Sequence, residues 1–189
     1  MEAVSGILAA FGLSASAGLN AYIPLLTVAL LAKFTNLLSL ASPWDALTSW
    51  WTIGVLLVLS VVEFFADKVP VVDHVNDAIQ TFIRPTAGAI LFAASAQTVT
   101  EVHPVLSIIA GILVAGGVHA VKSLAIRPAV TAATAGAGDA PVSALEDVVS
   151  TAVSVLSVVL PILTGVVLLL IAALIIIWIV RRSKKRASA

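Results

Sequence analysis

The chain has 189 residues, 60% hydrophobic and 11% charged, with strongly positive mean hydropathy, roughly half the charge fraction of a soluble domain; it reads as one integral membrane domain over 1–189. Its 10 basic and 10 acidic residues cancel, which leaves no basic field for nucleic acid. With no cysteine, disulfides, thiolate nucleophiles and Cys-ligated metals are excluded.

Residues 1–17 are apolar, and Ala15-Ser16-Ala17 has the small side chains of a signal-peptidase site. The chain nevertheless begins Met1-Glu2, with no Lys or Arg before Lys33, so a retained first membrane helix is expected. Ala3 to Ala32 as one helix would measure about 45 Å against a hydrocarbon core of about 30 Å, and must tilt or break. Gly18-Leu19-Asn20-Ala21-Tyr22-Ile23-Pro24 supplies the place, because Pro24 removes the backbone bond to Asn20 and crowds its carbonyl. Irregular backbone at membrane depth is tolerated inside protein or beside a wet cavity, which makes Asn20 and Tyr22 candidate solute contacts. A tight turn, or a kink satisfied by its neighbours, is the plainer alternative.

Lys33 to Thr48 reads as a loop or interfacial segment, and Trp50 and Trp51 open a second span, Thr48 to Ala66. Helix from Trp50 to Asp67 is about 26 Å long and places Glu63 roughly 6 Å inside the opposite boundary. A carboxylate there faces protein or water, or else snorkels or pairs with Lys68.

Charge concentrates between Glu63 and Arg84. Pro70 pushes Val69 out of helical geometry, so a break is expected near Val69. Before it, Glu63 and Asp67 share a face; after it, Asp73, Asp77, Gln80 and Arg84 form one polar stripe, with Val75, Ile79, Phe82 and Ile83 away from it. The piece 72–84, about 18 Å long, is too short to span and is expected as an amphipathic interfacial or re-entrant helix. Asp73, His74 and Asp77 are weak candidates for holding Mg²⁺ or Mn²⁺: Pro70 separates them from Asp67, and their spacing matches no metal motif. No cofactor is expected.

Pro85 to Thr100 is a short span of small residues, and Val105 to Ile126 another with Gly111, Ala115, Gly116 and Gly117, both suited to close helix crossing. His119 and Lys122 share a face near the end of the second, which Arg127-Pro128 closes. Ile83-Arg84-Pro85 recurs as Ile126-Arg127-Pro128, the mark two related halves would leave. Thr131 to Pro141 reads as a loop or re-entrant link. Ser143 and Glu146 have capping-box spacing, which gives Glu146 a structural role and leaves Asp147 without one. The helix Ala144 to Val180 would be about 55 Å long, kinked near Pro161 and Gly165, before the basic tail 181–189 with Arg181, Arg182, Lys184, Lys185 and Arg186.

The fold expected is an all-α polytopic membrane bundle of about five spans, within four to six. In that arrangement Lys33 and the tail share one side and Lys68, Arg84, Lys122 and Arg127 the other, which puts the C-terminus in the cytoplasm. If the last segment turned back at Pro161, the loop cations would join the tail and satisfy the charge rule better.

The set Gly18 to Pro24, Ala66-Asp67-Lys68-Val69-Pro70 with Asp73, and Arg127-Pro128 ahead of Ser143-Ala144-Leu145-Glu146-Asp147 resembles a family of small bacterial integral membrane proteins classed as a domain of unknown function. The resemblance runs from about Gly6 to Pro161. It implies a bacterial origin, and so a multi-pass protein of the inner membrane, and it carries no activity onto any residue.

Three functions fit these features. A transporter or channel-like protein for a small or anionic solute would use Asn20, Tyr22, Glu63, Asp67, His119, Lys122 and Arg127, with Glu63 or Asp67 taking up a proton or cation and Lys122 with Arg127 attracting an anionic group. A structural or assembly subunit would pair Glu63 and Asp67 with Lys122 and Arg127 and leave no pathway. A membrane enzyme acting on lipid-linked or phosphorylated substrates is the third, although no serine sits in a nucleophile elbow. The partners expected are the lipid bilayer, an unidentified small solute and a second copy forming a homodimer, since five spans make a thin bundle. Mutual pairing without a cavity would favour assembly; a wet crevice reaching Asn20 would favour transport.

Overall fold

A computed structural model describes residues 2–68, 70–97 and 102–187, with backbone alone for 2, 70–74, 97, 178–180 and 182–187. The expected break at Val69 lies outside the described residues, as do the last residues of the expected span Pro85 to Thr100. Within them the secondary structure is all helix: α1 (Glu2–Leu19), α2 (Tyr22–Phe34), a 3₁₀ turn (Trp44–Thr48), α3 (Trp50–Ala66), α4 (Pro70–Gln97), α5 (Pro104–Val121), a π-helical turn (Lys122–Ile126), α6 (Arg127–Thr134), α7 (Asp139–Val159) and α8 (Pro161–Ala187).

The helix ends follow local chemistry. The Ser49 hydroxyl accepts from Thr52 N and starts α3. Pro104 opens α5, where a missing N–H leaves no bond unmade. Pro24 likewise falls in the first turn of α2 and begins a helix rather than bending one. Leu160, forced off helical geometry by Pro161, has φ −133° and ψ 60° and separates α7 from α8. Ahead of Pro128, the wide π turn brings the Arg127 N–H to the Lys122 carbonyl and relieves the clash that a proline ring makes inside a helix.

Two expected kinks are hairpins. At one end of the bundle Asn20 lies near the end of α3; at the other, Phe34 stacks edge-on against Trp50 at 5.9 Å and Lys33 donates to the Thr48 carbonyl at 2.7 Å. Because α3 runs from Trp50 toward Glu63, α2 returns toward the end where α1 began. The second reversal follows Leu160. Ser157 and Thr164 both flank Gly12, Gly165 sits against Leu8, and Leu168, Ala172 and Ile175 share a groove with Ala15, Val114 and Val118. So α8 runs back beside α1, and the last segment turns at Pro161 as the alternative topology required.

Other expectations are corrected. The piece 72–84 is not a separate short helix: α4 is continuous through Pro85 over 28 residues, about 42 Å. Thr131 to Pro141 is not one loop. Helix continues to Thr134, turns through Ala135 (φ 52°) and Gly136 (φ 87°), and resumes at Asp139. That start lies ahead of Ser143, so Ser143 and Glu146 sit inside α7 and form no capping box.

The exterior is apolar, and the interior joins an apolar core that includes Leu13, Val28 and Leu91 to a set of buried polar side chains. Ser14, Ser16, Asn20, Glu63, Arg84, Lys122, Ser150, Ser154 and Ser157 are buried, whereas Val58, Phe65, Val75, Phe82, Leu113, Leu124 and Leu174 are exposed. Small residues let the helices close on one another: a Cβ on Gly18 would lie 2.6 Å from the Ala115 carbonyl oxygen, and one on Gly111 would lie 2.6 Å from the Ala89 Cα. Among the described residues, Pro104–Thr134 and Asp139–Val159 are each long and apolar enough to cross a membrane by length and composition.

Candidate functional site

The alternating helix directions bring the ends of α1, α3, the α5–α6 rod and α8 to one end of the bundle, with the starts of α2, α4 and α7. Here the sequence's scattered charges meet. Arg84, fully buried, donates from Nη2 to Glu63 Oε1 at 3.0 Å and from Nη1 to His119 Nδ1 at 2.9 Å. With Nδ1 accepting, the imidazole hydrogen sits on Nε2, 3.2 Å from the Thr81 hydroxyl. Asp67 and Asp77 each lie 3.8 Å from the same guanidinium.

Asp67 joins two arginines. Its Oδ2 lies 3.4 Å from Arg127 Nη2 and 3.4 Å from the Ser143 hydroxyl, and its Oδ1 accepts from Asn76 at 2.6 Å. Arg127 also donates to Glu146 Oε2 at 3.0 Å, an oxygen that Lys122 Nζ reaches at 2.9 Å. Both members of the recurring Ile-Arg-Pro motif therefore converge on one carboxylate.

The broken first helix is wired into this network on both sides of the break. Lys122 Nζ donates to the Leu19 carbonyl at 2.9 Å, placing a cation at the negative end of α1. Asn20 Oδ1 accepts from Tyr22 N and Ile23 N at 3.1 and 3.0 Å, while its amide donates to Asp147 Oδ1 at 3.0 Å. Asp147 in turn meets Lys68 at 3.5 Å. Replacing Asn20 by Leu removes a cap and an acid's partner together, and is expected to cost about 1–3 kcal/mol, read as a lowered denaturation midpoint in detergent.

Of the residues singled out from sequence, Asn20, Glu63, Asp67, His119, Lys122 and Arg127 are brought together and buried. Tyr22 is half-buried beside Gln80, Glu63 and Arg84. Glu63 pairs with Arg84, not with Lys68. Glu146, expected as a cap, is instead the shared acceptor of two cations. The side chains of Asp73 and His74 lie outside the described residues; Asp77 lies near Arg84, and among the described residues no cluster of His, Asp or Glu has the form of a metal site.

Sequence reading passed over Arg84, Gln80 and the buried serines as site residues. Arg84 was discoverable from its own motif, since Arg127 in the same tripeptide had been chosen. The serines carry a period: Ser143, Ser150, Ser154 and Ser157 follow one face of α7 and are buried with Glu146 and Asp147. Ser16 Oγ lies 2.9 Å from Ser150 Oγ and 2.7 Å from Ser154 Oγ, so a hydroxyl cluster continues from Asp147 toward the far end.

A cavity of about 510 Å³ opens beside the network, lined by Asp77, Ser123, Arg127, Pro128, Thr131 and Asp139 among others. Asp77 and Arg127 belong to both cavity and network. Asn20, in contrast, is 1% exposed, so its side chain is closed off in this conformation.

The chain belongs to the family described as "Domain of unknown function (DUF4126)", whose profile matches residues 7–182. The match extends through most of α8, beyond the Pro161 limit expected from the motifs. No curated protein and no solved structure matches it.

Proposed function

We propose that this chain is a membrane-embedded bundle that moves a small charged solute through the buried network, and that the arrangement described here is closed at Asn20. The observation that carries the reading is the pairing of the network with the cavity over Asp77 and Arg127. A closed core of ion pairs has little reason to persist for stability, since well-packed apolar replacements are commonly neutral or better. Ionisable side chains inside a membrane bundle usually mark a pathway.

The apolar exterior, together with charged side chains buried inside, supports lipid as the surrounding solvent. The helix directions and the distribution of the cations support one orientation. Lys68, Lys122, Arg127 and the basic tail fall at one end and Lys33 at the other, so the network end and the C-terminus are cytoplasmic and the N-terminus faces out. This replaces the five-span arrangement that put the loop cations opposite the tail.

The assembly reading has one observation in its favour: the carboxylates and cations satisfy one another across the helices. Tyr22→Cys separates the two, because Tyr22 borders Glu63, Gln80 and Arg84 and does not line the cavity. In a chain with no native cysteine, transport predicts that an impermeant thiol reagent modifies position 22 from at least one side of the membrane. Complete inertness from both sides, with Ser123→Cys in the cavity reacting normally, would establish a static core.

A further inference from the structure

We propose that Glu63 is a proton-binding site, occupied as a neutral carboxylic acid while the network is closed. Two independent observations lead there.

The first is charge balance. The described network contains the carboxylates Glu63, Asp67, Asp77, Glu146 and Asp147 against the cations Lys68, Arg84, Lys122 and Arg127. His119 accepts from Arg84 and adds no charge in that tautomer. Among the described side chains the assembly is short by one positive charge, and setting aside the partly exposed Asp77 and Lys68 leaves the same deficit. An unbalanced charge out of water is costly, and a buried acid avoids that cost by taking up a proton.

The second is a pair of unmet acceptors. Glu63 is 1% exposed, and its Oε2 has no hydrogen-bond partner among the described residues; neither has Oε1 of Gln80, also 1% exposed. Both side chains border Tyr22. A hydrogen on Glu63 Oε2 turns that unmet acceptor into a donor, for which Gln80 Oε1 is the proposed acceptor; the guanidinium Nε of Arg84 is unpartnered among the described residues as well, so Arg84 meets Glu63 through Nη2 and Oε1 alone. Asp67 and Asp147 have both oxygens partnered; Asp77 Oδ1 also lacks a hydrogen-bond partner among the described residues, but that side chain borders the cavity.

Proton uptake is a simple addition: the carboxylate gains a proton from solvent, and no other bond forms or breaks. Its consequence lies in Arg84. Facing a neutral Glu63, the guanidinium is left with Asp67 and Asp77, each now 3.8 Å away. Closing on Asp67 competes with Arg127, which borders the cavity. Around Glu63 the charged or titratable neighbours are Tyr22 from α2, Asp67 from α3, Arg84 from α4 and Lys122 at the end of α5. The coupling of proton to solute rests on the transport reading; the proton's residence on Glu63 does not.

The test is infrared spectroscopy of the full chain in lipid nanodiscs at neutral pH, with glutamate alone labelled with ¹³C. The expected result is a protonated-carboxyl band that shifts with the label, is absent from Glu63→Gln and survives in Glu146→Gln. Gln80→Leu, which keeps the acid but removes its acceptor, should move the band to higher frequency and covers the case in which Glu63→Gln does not fold. Absence of the band in wild-type protein overturns the proposal and leaves an ionised Glu63 bridged by a trapped water. So does persistence of the band in Glu63→Gln, or a band unmoved by Gln80→Leu. None of these readings depends on solute movement, so a static core with a protonated Glu63 and a pathway with an ionised one remain distinguishable.

Discussion

Replacing Arg84 by Met is expected to lower stability by about 3–5 kcal/mol, the cost of removing one partner from a buried ion pair. The side chain is wholly buried and sits among Glu63, Asp67, Asp77 and His119. Met fills similar volume, so lost packing contributes little; the effect arises from Asp77 and Asp67 losing a cation, with Asp67 left to Arg127 alone. A second-site change should recover part of the loss, because Asp67→Asn in the Arg84→Met background removes the charge that Arg84 had balanced. Chemical denaturation of both variants in detergent, compared with Asp67→Asn alone, measures the coupling as a double-mutant cycle. An Arg84→Met protein within about 1 kcal/mol of wild type would mean that the network is wetter than its burial implies.

The second large effect lies where α4 crosses α5. Gly111→Leu is expected to abolish the native packing or to cost more than the roughly 1–3 kcal/mol of ordinary overpacking, because the first added carbon already meets backbone: Ala89 Cα would be 2.6 Å away. Backbone in the middle of a helix cannot step aside as the tip of a side chain can. Gly117→Leu on the same helix is the control, since a Cβ there meets nothing within 4 Å, and its expected cost is within about 0.5 kcal/mol. Thermal unfolding of the two variants in one detergent separates crowding from helix propensity, because both gain the same side chain.

How far the sequence disclosed this arrangement depended on the kind of signal. Backbone breaks were legible: Asn20 with Pro24, and Pro161, lie where the chain reverses, because proline's missing N–H and its effect on the preceding residue act locally. What followed each break was not legible, since a kink and a hairpin leave the same residues at the bend. Their difference resides in distant partners such as Trp50 for α2 and Ala15 for α8. Pro85 misled in the opposite direction, as α4 continues through it; neighbours in a packed bundle can support a helix across a proline.

Periodicity placed Asp77, Gln80 and Arg84 on one face with Val75, Ile79 and Phe82 away from it. It could not say which face is inward. In water the apolar face would be buried; here Val75, Ile79 and Phe82 are exposed while Gln80 and Arg84 are covered, and the stripe supplies the site. Glu146 shows how a valid local motif can be overruled. The spacing of Ser143 and Glu146 suits a cap, but with the helix starting at Asp139 both side chains are free to turn inward toward Asp67, Lys122 and Arg127.

The network end, the cavity and the basic tail are expected on one side of a membrane, with the turn between α2 and α3 on the other. Single cysteines at Asn36, Thr131 and Ser183, probed with an impermeant thiol reagent in right-side-out and inverted vesicles, test it most directly. The account predicts that positions 131 and 183 react from the cytoplasmic side alone and position 36 from the outer side alone. Reaction of 131 and 183 from opposite sides would contradict it, because α7 and α8 could not then form a hairpin that returns the tail to the network.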